Sequence, residues 1–310
     1  VTNLPKNTAL VNADGWIAVR VEKLEDETVI DSLEKIQFDG KCKRLEHLWN
    51  IFQFNPEEIN SDFEIVTKGR RSQPLSTTNR VLCPENVFVE EGAKVEFSII
   101  NASEGKVYIG KDAEIWENAV IRAPFAMNEH AVVKMSAKIY EGTTIGPYSK
   151  VGGEVQNSVI IGYSNKGHDG YLGNSVLGEW CNLGADTNNS NLKNDYSEVK
   201  LWNYASHSFE KTGLQFCGLM MGDHSKSAIN TMFNTGTVVG VSSNVFGGGF
   251  PRTFIPSFMR GGSQGMEEYR LQKACETAER VMARRHKSFD EVEYAILSTI
   301  FEETRQNRAL

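Results

Sequence analysis

IGKDAEIWENAVIRAPFAMNEHAVVKMSAKIYEGTTIGPYSKV, residues 109–151, carries an apolar side chain at every sixth position. Ile109, Ile115, Ile121, Met127, Val133, Ile139, Ile145 and Val151 hold that beat. Four residues after each come Ala113, Ala119, Phe125, Ala131, Ala137, Thr143, Ser149 and Val155, most of them small. The phase returns at Met221, Ser227, Phe233, Val239 and Val245, with Ser225, Thr231, Thr237 and Ser243 at the second position. A period of six matches neither an α-helix at 3.6 nor a lone amphipathic strand at 2. It predicts a mainly β chain built as a parallel β-helix of hexapeptide repeats. Each hexad forms one short flat strand whose aliphatic side chain points into a narrow prism. Chance alternation in a β-sandwich would have to produce eight consecutive hexads in phase.

Outward from this stretch the chain divides into three expected segments. Residues 1–72 lack the hexad and read as a small α/β segment with a linker. Its strands are GWIAVRV and DFEIV, its amphipathic helix is CKRLEHLWNIFQFNPEEI ending before Pro56, and the polar linker is KGRRSQPLST. Residues 73–255 are the solenoid, with less regular early turns at Val89 and Val95. Residues 256–310 switch to helical period and read as a cap closing the open end of the β-helix. Tyr269, Ala274, Ala278 and Val281 mark a first helix. Ser288-x-x-Glu291 reads as a capping box for a second, with Val292, Ile296 and Ile300 on its buried stripe.

The beat is interrupted twice. After Ile161-Gly162 the pattern resumes four residues late, at Tyr171, Leu177 and Leu183. This predicts a four-residue insertion, GYSNKGHDG, pushed out of the prism as a loop. Residues 188–217 form a longer, Asn-rich and then strand-like excursion. Function on such scaffolds collects in the loops.

His168, next to Asp169 in the first interruption, is the leading candidate for chemistry, since histidine is the side chain whose ordinary titration falls near neutral pH. The plainer alternative is a solvated loop histidine. Tyr171 adds a phenol at the same corner. Asn182, Asn188, Asn189 and Asn191 offer uncharged amides, and Gly184-Ala185 leaves a main-chain N–H approachable, as an oxyanion site needs. The alternative is an asparagine ladder inside the solenoid. Arg122, Lys134, Lys150 and Lys166 are the cations of this region, and arginine with lysine suits a phosphate. Arg122 and Lys134 sit on different faces of the coil, converging only at a corner or a subunit junction.

Bulk composition excludes several classes. The chain has 310 residues and a formal net charge of −7, with no basic run, which argues against nucleic-acid binding. It has no apolar stretch of membrane-spanning length. Its five cysteines are scattered without a CxxC pair, which indicates neither a zinc cluster nor a disulfide framework and fits a reducing cytoplasm. His130, His168 and His224 lack the spacing of a metal triad, so no metal is expected. The chain begins at Val1 without Met, so a preceding segment is allowed for.

NKGHDGYLGNSVLGEWCNLGADT, residues 165–187, resembles the acetyltransferase half of the bifunctional UDP-N-acetylglucosamine pyrophosphorylase/glucosamine-1-phosphate N-acetyltransferase family, in a divergent bacterial branch often labelled sugar nucleotidyltransferase. The resemblance covers about residues 80–250. More weakly, residues 1–72 resemble the tail of the family's nucleotidyltransferase domain. It implies a left-handed β-helix, a cytoplasmic homotrimer, and active sites at the junctions between subunits with acetyl-CoA along the groove. It also implies acetylation of an amino-sugar 1-phosphate, glucosamine 1-phosphate, on the way to UDP-N-acetylglucosamine. By the family's pattern His168 is the general base and Glu154 polarises it. Arg122 holds the sugar phosphate, with Lys134, Lys150 or Lys166 as the lysine that completes the pocket, and Tyr171 and Asn182 bind the sugar. The Ala185 amide meets the acetyl carbonyl, and Asn191 touches the coenzyme. Gln156 stands where the family has a Lys, so the phosphate pocket is rebuilt. No G-x-G-x-R run exists, so the chain as given is not expected to make UDP-sugars. Two other readings are carried: an acyltransferase for another sugar or nucleotide-sugar, and a trimerising, regulatory β-helix of a sugar-1-phosphate nucleotidyltransferase.

Overall fold

The computed structural model describes residues 3–23, 27–40 and 42–309. The chain divides into two compact units, Val1–Glu46 and His47–Leu310, ahead of the sequence-based boundary at 72. In the first unit, Thr8–Asn12 pairs antiparallel with Gly15–Arg20 and parallel with Glu34–Gln37.

The second unit is a parallel β-solenoid with three faces of six, nine and ten strands. Every residue of the hexad beat is buried, from Ile109 to Val151 and from Met221 to Val245. Register shows why. Val133 pairs with Ile115 on one side and Val151 on the other, each one coil of eighteen residues away. Like side chains therefore stack in columns inside the prism, and the second hexad position stays small because the corner leaves no room. Among the described residues no helix is long and apolar enough to cross a membrane.

Helix α1 (Asn50–Val66) differs from expectation at both ends. It starts later than Cys42, it runs through Pro56, and DFEIV is its last turn rather than a strand. Tertiary contacts override the local signals. Phe52, Ile59 and Phe63 are buried, while Asn55 donates to the Gly142 carbonyl at 2.7 Å and accepts from the Thr144 hydroxyl at 2.9 Å. The Asn-rich excursion folds into a hairpin, Lys200–Asn203 with Ser208–Lys211. Val199 and Leu201 join Trp49 and Phe52 in covering the outward Val159, Val176, Met220, Val238 and Phe254 of the nine-strand face. This break is thus a lid over apolar surface.

Two helices follow the coils, α2 (Leu271–Ala283) and α3 (Glu291–Glu303). They pack through Ala274, Cys275, Ala278 and Leu297 on Phe258 and Val241 of the last turns. The N-cap of α3 is Asp290, whose carboxylate accepts from Val292 N and Glu293 N, and not Ser288. Its buried stripe is Leu297 with Ile300 and Phe301, while Val292 and Ile296 are exposed. Residues beyond α2 reach back along the solenoid, where Arg285 donates to Asn165 Oδ1 at 3.4 Å.

Candidate active site

The first interruption is a shortening of the coil. Val151 pairs with Lys166, fifteen residues on instead of eighteen, and Ile145 likewise pairs with Ile160. Two residues are lost at the Gly152–Gly153 turn, which does the work that Lys134–Ala137 does one coil earlier, and one more at Asn157–Ser158. No loop is extruded. His168 lies in a four-residue turn, Gly167–Gly170, between the strands Asn165–Lys166 and Tyr171–Gly173. The inward residue of the next strand is Leu172, not Tyr171, which is only half-buried. The inward position before the turn is held by a lysine, so an apolar reading of the phase slips there.

From below, this turn packs on the Gly152–Gly153 main chain. A Cβ at Gly153 would lie 2.8 Å from Gly170 O and 2.9 Å from both His168 O and Asp169 Cα, and Gly153 has φ +72°. Gly153→Ala is expected to destabilise the fold by about 1–3 kcal/mol through left-handed strain and displacement of the turn above. Thermal unfolding checks this as a lowered midpoint.

Beside the turn, a cavity of about 650 Å³ opens on the ten-strand face. His168, Lys134, Asn182 and Ala185 line it, together with Lys150, Asn165, Lys226 and, from the end of α2, Val281, Arg284 and Arg285. Lys150, Asn165, Asn182 and Lys226 form one outward column in register. The cavity has no carboxylate in its lining and five cations, none of them in an ion pair with a described carboxylate. Their crowding is felt. Burial, followed by the nearby charges of Arg285 and Lys134, pulls the Lys150 ammonium below its ordinary range. Burial pulls Lys226 down as well, while its Nζ donates to the His224 carbonyl at 2.7 Å. Lys134 Nζ sits 4.1 Å from the Trp116 ring centroid, a cation–π contact. Like charges gathered without carboxylate partners favour an anionic ligand. Within the cavity wall, the Ala185 N–H has no acceptor among the described residues, and the His168 imidazole is exposed.

Arg122, Glu154 and Tyr171 stand on the adjacent six-strand face, and Asn188–Asn189 pairs with Met232–Phe233 in a sheet of two. Tyr171 Oη donates to Gln156 Oε1 at 2.9 Å and accepts from Asn191 Nδ2 at 2.9 Å, and burial pushes the phenol up to about 12. Asn191 also donates to Asn174 Oδ1 at 2.7 Å. Glu154 faces Lys138 at 3.7 Å and makes no contact with His168, whose ring has no partner among the described residues. Arg122 pairs with Glu141 at 3.8 Å. It lies three strands from Tyr171–Gly173, about 14 Å away, and does not line the cavity. Asn188 and Asn189 are ladder residues, their side-chain Oδ1 atoms accepting from Tyr171 N and Gly173 N. Sequence reasoning missed Asn165, Lys226, Arg284 and Arg285. The Arg-Arg-His-Lys run at 284–287 was a visible signal for the last two. Among the described residues no group of three or more His, Cys, Asp or Glu is placed to hold a metal.

Residues 1–71 match a family model described as sugar nucleotidyl transferase. A bifunctional sugar-1-phosphate nucleotidylyltransferase/acetyltransferase of Sulfurisphaera tokodaii is 26% identical over 69% of this chain and 47% of its own length. In sequence this chain is similar to bifunctional sugar-1-phosphate nucleotidylyltransferase/acetyltransferases. The bifunctional protein GlmU of Methanococcus maripaludis is 25% identical over 69% of this chain and 45% of its own. The chain thus spans about half the length of the curated relatives it matches. A hexapeptide transferase family protein of Anaplasma phagocytophilum aligns over 74% of this chain and 92% of its own, at 14% identity and a TM-score of 0.30.

Proposed function

We propose that this chain transfers the acetyl group of acetyl-CoA to the amino nitrogen of an amino-sugar 1-phosphate, with His168 as general base. The observation that carries the reading is one exposed imidazole at the edge of a cavity with five cations, no lining carboxylate and an unengaged main-chain N–H. The acceptor nitrogen attacks the thioester carbonyl carbon while His168 takes its proton. The Ala185 N–H stabilises the oxyanion. The C–S bond then breaks, and the coenzyme thiolate leaves and takes up the proton. Lys134, Lys150, Lys226, Arg284 and Arg285 hold phosphate groups, and Asn182 orients the sugar.

Arg122, Tyr171 and Asn191 belong to another face, so they meet a His168 cavity only from a neighbouring prism. That is the role assigned to a homotrimer, and a monomer in light scattering contradicts it. Glu154 is left with Lys138 and no part in the proton transfer. Gln156 engages Tyr171 instead of a phosphate, which keeps an amino-sugar attached to a nucleoside diphosphate as a second acceptor.

The test is coenzyme A thiol release with glucosamine 1-phosphate and with nucleotide-linked amino sugars. Turnover with the former is expected. Turnover with the latter alone shifts the acceptor, and turnover with neither rejects the reading. Arg284→Ala with Arg285→Ala is expected to raise the KM for acetyl-CoA about 10–100-fold, from the loss of charge-assisted bonds.

A further inference from the structure

One interior column of the ten-strand face, which runs on through Ser227 and Val245, carries a charge at a single place. Ile115, Val133 and Val151 lead to Lys166, and Leu183 follows on the next strand. Lys166 is 2% exposed. Its Nζ donates to the main-chain carbonyl of His168 at 2.6 Å. Burial pulls its ammonium down to about 8, against the attraction of Asp169 and Asp186. Lysine is almost never buried without reason. An unbranched apolar side chain fills such a position, as Met127 and Met221 do at inward positions of the nine-strand face.

We infer that Lys166 is a positioning residue for acetyl transfer: its ammonium, held inside the prism, ties down the Gly167–Gly170 turn so that the His168 imidazole faces the cavity. The inference rests on the general-base reading of His168. The flanks of the turn are held by main chain, with Gly152 N to Lys166 O at 2.7 Å, Glu154 N to Gly170 O at 3.2 Å and Asp186 N to Asp169 O at 3.0 Å. The His168 carbonyl has no such partner, and the Lys166 ammonium is its donor among the described residues. Two of the four turn residues are glycine, and Gly152–Gly153 beneath offers no side chain as a brace. Without Lys166 the residue that carries the base is free to rotate.

The test compares wild type, Lys166→Met, Lys166→Arg and His168→Ala. The readouts are steady-state thiol release with acetyl-CoA and glucosamine 1-phosphate, and amide hydrogen exchange at Gly167–Gly170. Lys166→Met is expected to lower kcat about tenfold or more, as a misplaced base does, with the KM for acetyl-CoA within about threefold and faster exchange in the turn. Lys166→Arg, which keeps a donor, is expected to recover most of the kcat. Lys166→Leu matches the next residue of the same column and serves as a second apolar variant, so a misfolded Met variant does not end the test. Wild-type kcat in an apolar variant, or a turn as protected as in wild type, overturns the inference while His168→Ala remains inactive. Absence of turnover in wild type overturns the acetyl-transfer reading and this inference with it.

Discussion

Replacing His168 by Ala lowers the kcat of acetyl transfer by about 10²–10⁴-fold, the usual contribution of a positioned base. The side chain is exposed and has no partner among the described residues, so its removal leaves stability within about 0.5 kcal/mol. The five cations and the Ala185 N–H remain in place, so acetyl-CoA binds the variant about as tightly as it binds wild type. Loss of kcat with unchanged binding separates a base from a ligand contact. Stopped thiol-release assays and calorimetric titration of acetyl-CoA measure the two quantities. A variant that loses binding in proportion to turnover makes His168 a contact of the coenzyme.

Lys166→Met raises stability at neutral pH by about 3 kcal/mol, the free energy of a lysine depressed from 10.5 to about 8 by burial. The sign follows from proton uptake. Between pH 8 and 10.5 the unfolded chain holds the proton and the folded chain has lost it, so stability rises with pH across this window. The destabilisation by Lys166 is fully present below pH 8 and gone above 10.5. The gain in Lys166→Met is therefore largest at pH 7 and fades toward pH 10.5. Asp169 and Asp186 act against burial here, and both remain in the variant. Denaturant unfolding at pH 7 and pH 10 checks the difference. A variant that is more stable and less active is the signature of a residue retained for function at the expense of packing.

How far the sequence alone reaches depends on what each position places inside the prism. Ile109 to Val151 declare the coil because every residue of the beat is aliphatic and each follows the last by six. At Lys166 the inward residue is charged, and hydropathy passes over it. The phase is then picked up on Tyr171, one residue from the true inward Leu172, and a coil shortened at Gly152–Gly153 looks like an insertion. His168, Asn182 and Ala185 are legible because the motif keeps them on consecutive turns of one corner, where coil geometry brings them together. Arg284 and Arg285 are not, since they reach the cavity from a helix about a hundred residues away, and no periodicity links them to it. Glu154 and Arg122 come from the family's spacing, and their neighbours here are Lys138 and Glu141. Pro56 reads as the end of α1 on local grounds, and the helix continues because Ile59 and Phe63 are buried and Asn55 bonds to Gly142 and Thr144.

Acetyl transfer by His168 is tested most directly by carbon NMR of the protein mixed with acetyl-CoA, labelled at the acetyl carbonyl, and glucosamine 1-phosphate. With wild type the thioester signal is expected to give way to an amide signal, and with His168→Ala to persist. A thioester signal that persists with wild type, while acetyl-CoA is bound, contradicts that transfer.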